Sequence, residues 1–234
     1  MSTAAIGGVG IIGGTGPMGR GLAARMGMAG VAVLLGSRDP QRAEEAAATI
    51  RGRLGEGAGL LQGGSNSEAA AYGELALLTV PYEAGSSLLA QLDELLQGRV
   101  LVSTAAPMEF CDGVAQPVHP EAGSAALEVT RICRGALVVG AFHTVSAPLL
   151  GRLDSQLDED VIVTSDHADA KELVIRLVEA LPGLRPVDGG GLANASFSEG
   201  LTPFLIRLNR LHHAHTGIRI TGLSAGKAGH PAGG

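Results

Sequence analysis

Tryptophan is absent from the 234-residue chain, and aromatic side chains make up only 3% of it. A surface that stacks successive bases needs aromatic faces, so a nucleic-acid platform is not expected. The formal net charge of -6 argues the same way, because a phosphate backbone is bound by excess positive charge. Any anionic ligand must therefore meet local cations. Cysteine is equally scarce: Cys111 and Cys133 lack both C-x-x-C spacing and metal-ligand company, and read as reduced thiols of a cytoplasmic protein. A basic leader followed by an apolar core is missing, as is any run of about 18 apolar residues, so neither export nor membrane spanning is expected.

What remains is a chain that is 45% hydrophobic, enough for the core of one large domain or of a nucleotide domain with a smaller partner. Glycine is abundant, with 36 residues. The stretch that organises the rest is Val9-Gly10-Ile11-Ile12-Gly13-Gly14-Thr15-Gly16-Pro17-Met18-Gly19. A short apolar run enters G-x-G-x-x-G and leaves it as an alanine-rich segment with helical spacing, the strand, turn and helix start that a dinucleotide pyrophosphate requires. Gly14 is expected to make the tight turn, Gly16 to let backbone approach the phosphates, and Gly19 to pack helix on strand. The helix start then offers unpaired N–H groups and a partial positive charge to the anion.

Val31-Ala32-Val33-Leu34-Leu35 is a strand buried on both faces. Its end identifies the cofactor. An NAD site places an acid there for the ribose hydroxyl, whereas this chain has Gly36-Ser37-Arg38-Asp39-Pro40-Gln41-Arg42. A hydroxyl and a guanidinium suit a 2′-phosphate. If Asp39 caps the next helix and Pro40 opens it, Arg38 and Arg42 face the same anion; otherwise both are solvated charges at a helix start.

The stretch from Gly55 to Ser67 is rich in glycine, serine and asparagine. Leu75 to Val80 is a further buried strand stopped by Pro81, and Val80, Pro81 and Ala84 should flank a nucleotide lying across the strand ends. Pro81 has the simpler reading of ending the strand. Leu88 to Leu96 reads as helix and Val100 to Val102 as strand. The segment 105–124 shows little periodicity, as a functional loop would. Leu137 to Phe142 resumes the strand pattern and delivers His143, a substrate contact or simply a hydrogen-bonded histidine at a strand end. Val161 to Val163 is a strand, and Ser165 and Asp166 can cap the helix from Ala168 to Leu181. A helical run from Leu192 to His213 should kink or restart at Pro203 with Thr202 as cap. Ile218 to Thr221 reads as a last strand.

This alternation predicts an α/β, Rossmann-type, doubly wound, mainly parallel sheet with a small C-terminal helical and strand segment over the cleft. The boundaries are an NADP-binding core at 1–141, a C-terminal part at 142–223 completing the sheet and substrate site, and a disordered tail at 224–234. His212, His213 and His215 lack carboxylate company and are read as an exposed helix end, so no metal is expected. Gly222 to Gly226 matches G-x-S-x-G, but too little chain follows it for a hydrolase elbow. No lysine or tyrosine stands out as a proton donor, so no catalytic side chain is assigned.

Several stretches together resemble NADPH-dependent coenzyme F420 reductases: Gly13 to Gly19, Leu35-Gly36-Ser37-Arg38, Thr79-Val80-Pro81, Ala141-Phe142-His143-Thr144, Asp188-Gly189 with Leu192-Ala193-Asn194-Ala195, Leu201-Thr202-Pro203 and His215 to Thr221. The likeness runs from about Ile6 to Thr221, while Gly55 to Gly64 and Ser103 to Pro107 depart from the pattern. It implies a cytoplasmic homodimeric enzyme that moves hydride between NADP(H) and the deazaflavin F420. NADP contacts are implied at Gly14, Thr15, Gly16, Pro17, Met18, Gly19, Ser37, Arg38, Arg42, Val80 and Pro81. Deazaflavin contacts are implied at His143, Thr144, Val145, Asn194, Leu201, Thr202 and Pro203, with Arg207, Arg210 or Arg219 facing the acidic tail or merely solvated. Two other functions fit the nucleotide fingerprint: a reductase of a small carbonyl or imine, and a non-catalytic NADP(H) sensor.

Overall fold

The computed structural model describes residues 6–55 and 60–223. The expected disordered tail at 224–234, and the end of the G-x-S-x-G match, lie outside the described residues.

The first half alternates as expected: β1 (Val9–Ile12), α1 (Pro17–Met28), β2 (Val33–Ser37), α2 (Pro40–Leu54), β3 (Leu61–Ser65), α3 (Asn66–Ala71), β4 (Leu75–Leu78), α4 (Tyr82–Leu96) and β5 (Val100–Ser103). A hairpin, β6 (Met108–Cys111) and β7 (Val114–Pro117), then precedes α5 (Ala125–Ile132) and β8 (Leu137–Gly140). The remainder is α6 (Ala147–Leu150), β9 (Glu159–Val163), α7 (Ala168–Glu179), β10 (Leu184–Asp188), a 3-10 turn at Leu192–Asn194 and α8 (Ala195–His212).

Six parallel strands form one sheet in the order β3-β2-β1-β4-β5-β8. The chain starts in the middle, winds outward to β3, then crosses to β4, so the order reverses beside β1. Ligands of open parallel sheets bind outside the carboxyl ends of strands at such a reversal. All residues of β1, β4 and β5 are buried, because helices cover both faces and split the apolar core in two. β9 and β10 pair separately in parallel and touch the main sheet through an antiparallel bridge between Gly140 and Thr164.

Five local expectations are corrected. The Gly-rich stretch after α2 contains β3, whose register pairs Val33 with Leu61 and Ser37 with Ser65. Gly63 lies there because a Cβ would collide with the backbone of Ala43 and Glu44. The stretch 105–124 is not simply a loop: Asp112 and Gly113 both have positive φ, 49° and 73°, the backbone of a two-residue hairpin turn. Ser165 and Asp166 do not cap α7. The Ser165 hydroxyl donates to the Val138 carbonyl (2.7 Å), and the Asp166 carboxylate accepts from Leu192 N–H (2.9 Å). α8 runs through Pro203 without restarting, and the Thr202 hydroxyl is spent on the His143 carbonyl (2.8 Å). Ile218 to Thr221 is not a strand; Arg219 and Ile220 instead bind the buried carboxylate of Asp160. β10 follows Pro182-Gly183 where only a helix stop is apparent in the sequence.

Candidate active site

A cleft of about 1230 Å³ runs along the carboxyl ends of β1, β4, β5 and β8. Its floor is Gly16–Met18, Thr79–Pro81, Thr104–Ala106 and His143–Ser146. The β6–β7 hairpin, the C-terminal half of α8 and residues 213–216 close the other side.

At the β1 end the glycines divide their work differently from the sequence expectation. Gly13, with φ of 72°, makes the left-handed turn and donates to Asn66 Oδ1 at 3.0 Å. Gly14 is squeezed: a Cβ there would come within 3.0 Å of the Ile11 carbonyl and 3.1 Å of Leu35. Gly19 packs on Gly14, where a Cβ would stand 2.6 Å from its Cα. Gly16 alone of the three in G-x-G-x-x-G faces open space, with no atom nearer than 3.9 Å to a built Cβ. It caps α1 without a side-chain hydrogen bond, Pro17 has no N–H, and no acid occupies the first turn. The amides of Met18 and Gly19 thus meet no capping side chain, and the helix end favours an anion. Thr15 is half-buried beside them.

At the end of β2, Asp39 is the only acid, and its carboxylate is consumed in capping α2 by accepting from Gln41 N–H (3.0 Å) and Arg42 N–H (3.4 Å). Ser37 Oγ is buried and accepts from Asp39 N–H at 3.2 Å, leaving its hydroxyl proton for a ligand. Arg38 and Arg42 are exposed and form no ion pair among the described residues. The geometry therefore presents a hydroxyl and two guanidinium groups at the β2 end, with no free carboxylate.

Val80 and Pro81 line the cleft, but Ala84 does not; its N–H turns back to the Pro81 carbonyl at 3.0 Å. His143, Thr144 and Val145 form buried floor. Phe142 before them is buried with φ of 66°, a conformation that costs a bulky residue energy and that the surrounding packing enforces. His143 Nδ1 lies 3.1 Å from Ser198 Oγ, while Nε2 has no hydrogen-bond partner among the described residues. Burial pushes the imidazole down to about 4. It is neutral at physiological pH, so it offers shape and a ring nitrogen rather than positive charge.

That shift has a measurable sign. Below its ordinary value of 6.5 the unfolded chain takes up a proton that folded His143 refuses until about pH 4. Stability is therefore lost as pH falls through this window, by up to about 3 kcal/mol. Glu159, which burial pushes up to about 7 against a Ser146 N–H bond, acts oppositely and loses stability as pH rises. Denaturant titrations of wild type and His143→Gln should thus agree in slope at pH 8 and diverge below 6.5, the variant losing less. Parallel profiles would mean the ring is not held neutral.

The site does not include every residue expected in it. Thr202 faces the cleft, but Leu201 and Pro203 lie on other faces of α8, Pro203 packed inward. Asn194 is exposed outside the cleft, its amide donating to the Gly189 carbonyl at 2.8 Å. Of the three arginines, Arg210 lines the cleft; Arg207 does not, and Arg219 is paired with Asp158 (3.3 Å) and Asp160 (3.2 Å).

Other lining residues have little sequence signal, notably Tyr82, Met108, Phe110 and Asn209; the Asp112-Gly113 turn signal marks the hairpin that carries two of them. Among the described residues the lining contains no lysine, and Tyr82 is its only tyrosine. The Tyr82 hydroxyl donates to Glu128 at 2.8 Å, and burial together with that carboxylate pushes it up to about 12, a poor proton source. Among the described residues no cluster of three or more His, Cys, Asp or Glu is arranged to hold a metal, and no helix is long and apolar enough to cross a membrane.

Residues 8–107 match the family model described as NADP oxidoreductase, coenzyme F420-dependent. The chain is 38% identical over 220 residues to the F420-dependent NADP reductase of Methanothermobacter thermautotrophicus, covering 92% of this chain and 95% of the relative. It is 39% identical over 223 residues to the enzyme of the same name from Methanothermobacter marburgensis, covering 92% and 98%. A crystal structure from Arthrobacter sp. FB24, provisionally described as an F420-dependent NADP reductase, superposes with a TM-score of 0.74 at 26% identity, covering 89% of this chain and 96% of that one. With 38–39% identity over near-complete coverage of both relatives, this chain belongs to the family of F420-dependent NADP oxidoreductases.

Proposed function

We infer that this protein is an oxidoreductase that transfers hydride between NADP(H) and coenzyme F420, an 8-hydroxy-5-deazaflavin, as NADPH-dependent F420 reduction or its reverse. The observation that carries the reading is one continuous cleft, anion-ready at the β1 turn and apolar across β4, β5 and β8. From β2 to β8 the strand ends span four spacings, about 19 Å, a length along which an extended dinucleotide can lie.

When both cofactors are bound, hydride passes between nicotinamide C4 and deazaflavin C5, and one proton is taken up as the deazaflavin is reduced. The chain's part is positioning. The Met18 and Gly19 amides hold the pyrophosphate, with Gly16 allowing its approach beside Thr15 and Pro17. Ser37, Arg38 and Arg42 hold the 2′-phosphate, the arginines through charge-assisted hydrogen bonds. Val80 and Pro81 flank the nicotinamide end. His143, Thr144 and Val145 form a dry floor under the second ring, fixed to α8 by the Thr202 to His143 hydrogen bond and the Ser198 contact. Rigid placement at about 3–3.5 Å and exclusion of water supply the rate, with no side-chain acid.

The division at 141/142 falls where the last strand of the main sheet ends, and we propose it as the boundary between the cofactor core and the part that completes the site. We also propose a homodimer in the cytoplasm. Phe197, Leu201, Phe204, Leu208 and Leu211 recur at helical spacing along α8, with Phe197, Phe204 and Leu211 at 74%, 54% and 70% exposure. A stripe of this kind is self-complementary across a two-fold axis, so its occupant is a second copy. Light scattering giving the mass of one chain would remove the dimer. The two free cysteines fit a reducing compartment.

The direct test is the absorbance of oxidised deazaflavin on mixing protein, F420 and a nicotinamide. Rapid bleaching with NADPH, about a hundredfold slower with NADH, and a loss of NADPH preference in Arg38→Ala are expected, since two charge-assisted contacts contribute about 3 kcal/mol. No bleaching with NADPH bound would leave a nucleotide sensor.

A further inference from the structure

The pyrophosphate turn runs from Gly13 to Gly19, and the 2′-phosphate meets Ser37, Arg38 and Arg42 at the end of β2. One side chain touches both loops. Asn66 opens α3 directly after β3, and its Oδ1 accepts from Gly13 N–H at 3.0 Å across 53 residues of sequence. A Cβ built on Gly36 would come within 3.0 Å of the same Oδ1. The Asn66 amide therefore lies against the β1 turn and the last residues of β2, which are themselves joined by Gly14 N–H on the Gly36 carbonyl (2.8 Å). Its place is fixed from two sides. Ala69 on α3 packs so closely on the sheet that a Cβ on Gly10 would overlap its carbonyl and one on Gly36 would stand 2.7 Å from its Cβ. The start of α3 is closed by reciprocal bonds, Ser65 Oγ accepting from Glu68 N–H (3.1 Å) and the Glu68 carboxylate from Ser65 N–H (2.7 Å).

The N–H of Gly13 can be met only by an acceptor, so Oδ1 faces it and the Asn66 Nδ2 faces away. That amide nitrogen has no hydrogen-bond partner among the described residues, although Asn66 is only 7% exposed. Holding the turn does not by itself call for asparagine. Aspartate would accept the same N–H more strongly, and would suit the positive end of α3. Asparagine differs from it in two respects: it brings a donor and it carries no negative charge. Both serve a position that faces the phosphates of a bound nucleotide, at the carboxyl ends of β1 and β2 where the sheet order places the ligand.

We propose that Asn66 is a further NADP-binding residue, whose Oδ1 pins the Gly13 turn and whose Nδ2 donates to an oxygen of the adenosine ribose-phosphate. This rests on the NADP part of the reading above and is independent of the hydride acceptor. Asn66 acts on nucleotide affinity, because it stands at the adenosine half and away from the nicotinamide.

Titration calorimetry of the full-length protein with NADP+ and with adenosine 2′,5′-bisphosphate, beside melting curves, tests it. Asn66→Asp keeps the shape and the Gly13 bond. It should melt near wild type yet bind both ligands about thirtyfold more weakly, the gap widening as ionic strength falls. Asn66→Ala loses both bonds, and should combine about tenfold weaker binding with a melting temperature about 5 °C lower. Ser65→Ala removes the cap of α3 and should lower the melting temperature alone. Wild-type affinity in Asn66→Asp would overturn the contact and leave Asn66 a residue that only pins the turn. Weaker binding of NADP+ with unchanged binding of adenosine 2′,5′-bisphosphate would overturn its placement on the adenosine half. Failure of wild type to bind either ligand would remove the NADP reading itself, and this inference with it.

Discussion

Gly16→Val is expected to weaken NADP(H) binding at least a hundredfold, about 3 kcal/mol, while leaving thermal stability near that of wild type. Gly16 has φ of -75° and ψ of 170°, a conformation that valine adopts readily. A Cβ at this position meets nothing closer than 3.9 Å, so the protein itself does not need glycine here. The space is needed by a ligand. Branched carbons would stand where the pyrophosphate approaches the Met18 and Gly19 amides, and its oxygens would lose those donors. Gly19→Val makes the control, because its Cβ would stand 2.6 Å from both Cα and O of Gly14. That variant should lose nucleotide affinity and stability together. Calorimetric titration with NADPH beside a melting curve separates the two, and unchanged affinity in Gly16→Val would place the pyrophosphate elsewhere.

Asp160→Ala should cost about 3–5 kcal/mol of stability and lower the melting temperature by roughly 10 °C. Asp160 is fully buried at the start of β9 and is bound bidentately by Arg185 at 2.8 and 2.7 Å. Arg219 Nη1 adds 3.2 Å and Ile220 N–H 2.6 Å. Burial alone would raise this carboxyl, but the Arg185 bonds, the Ile220 amide and the charges of both arginines outweigh it and hold the acid below its ordinary value. Its stabilisation is therefore present above the unfolded value and lost as pH falls through the folded one. Removing the carboxylate leaves partly buried Arg185 without its counter-charge and releases 218–220. Asp160→Asn keeps the shape and should lose less. A melting temperature unchanged in Asp160→Ala would show that the network contributes nothing net, as some buried ion pairs do.

The sequence by itself determined those parts of the molecule that depend on neighbours in the chain. The β1 turn, the burial of β2 and β4, the Asp39 cap with Pro40 and the missing acid after β2 each follow from a handful of adjacent residues. Local backbone sterics and capping leave them little choice. Family resemblance carried His143 and Thr202 to the cleft, where the fold also puts them. What only the tertiary structure decided depends on residues distant in sequence. β3 is a strand because it pairs with β2 and fits its glycines against α2, although its own residues lack strand alternation. Asn194 leaves the site because Gly189 claims its amide, and Ser165 and Asp166 leave their cap for buried partners. Arg210 and Arg219 look alike in the sequence; a buried carboxylate on β9 takes one, and the cleft keeps the other. Side-chain donors go to whichever buried acceptor the folded chain brings nearest, since an unpaired polar group in the interior costs more than a local turn returns.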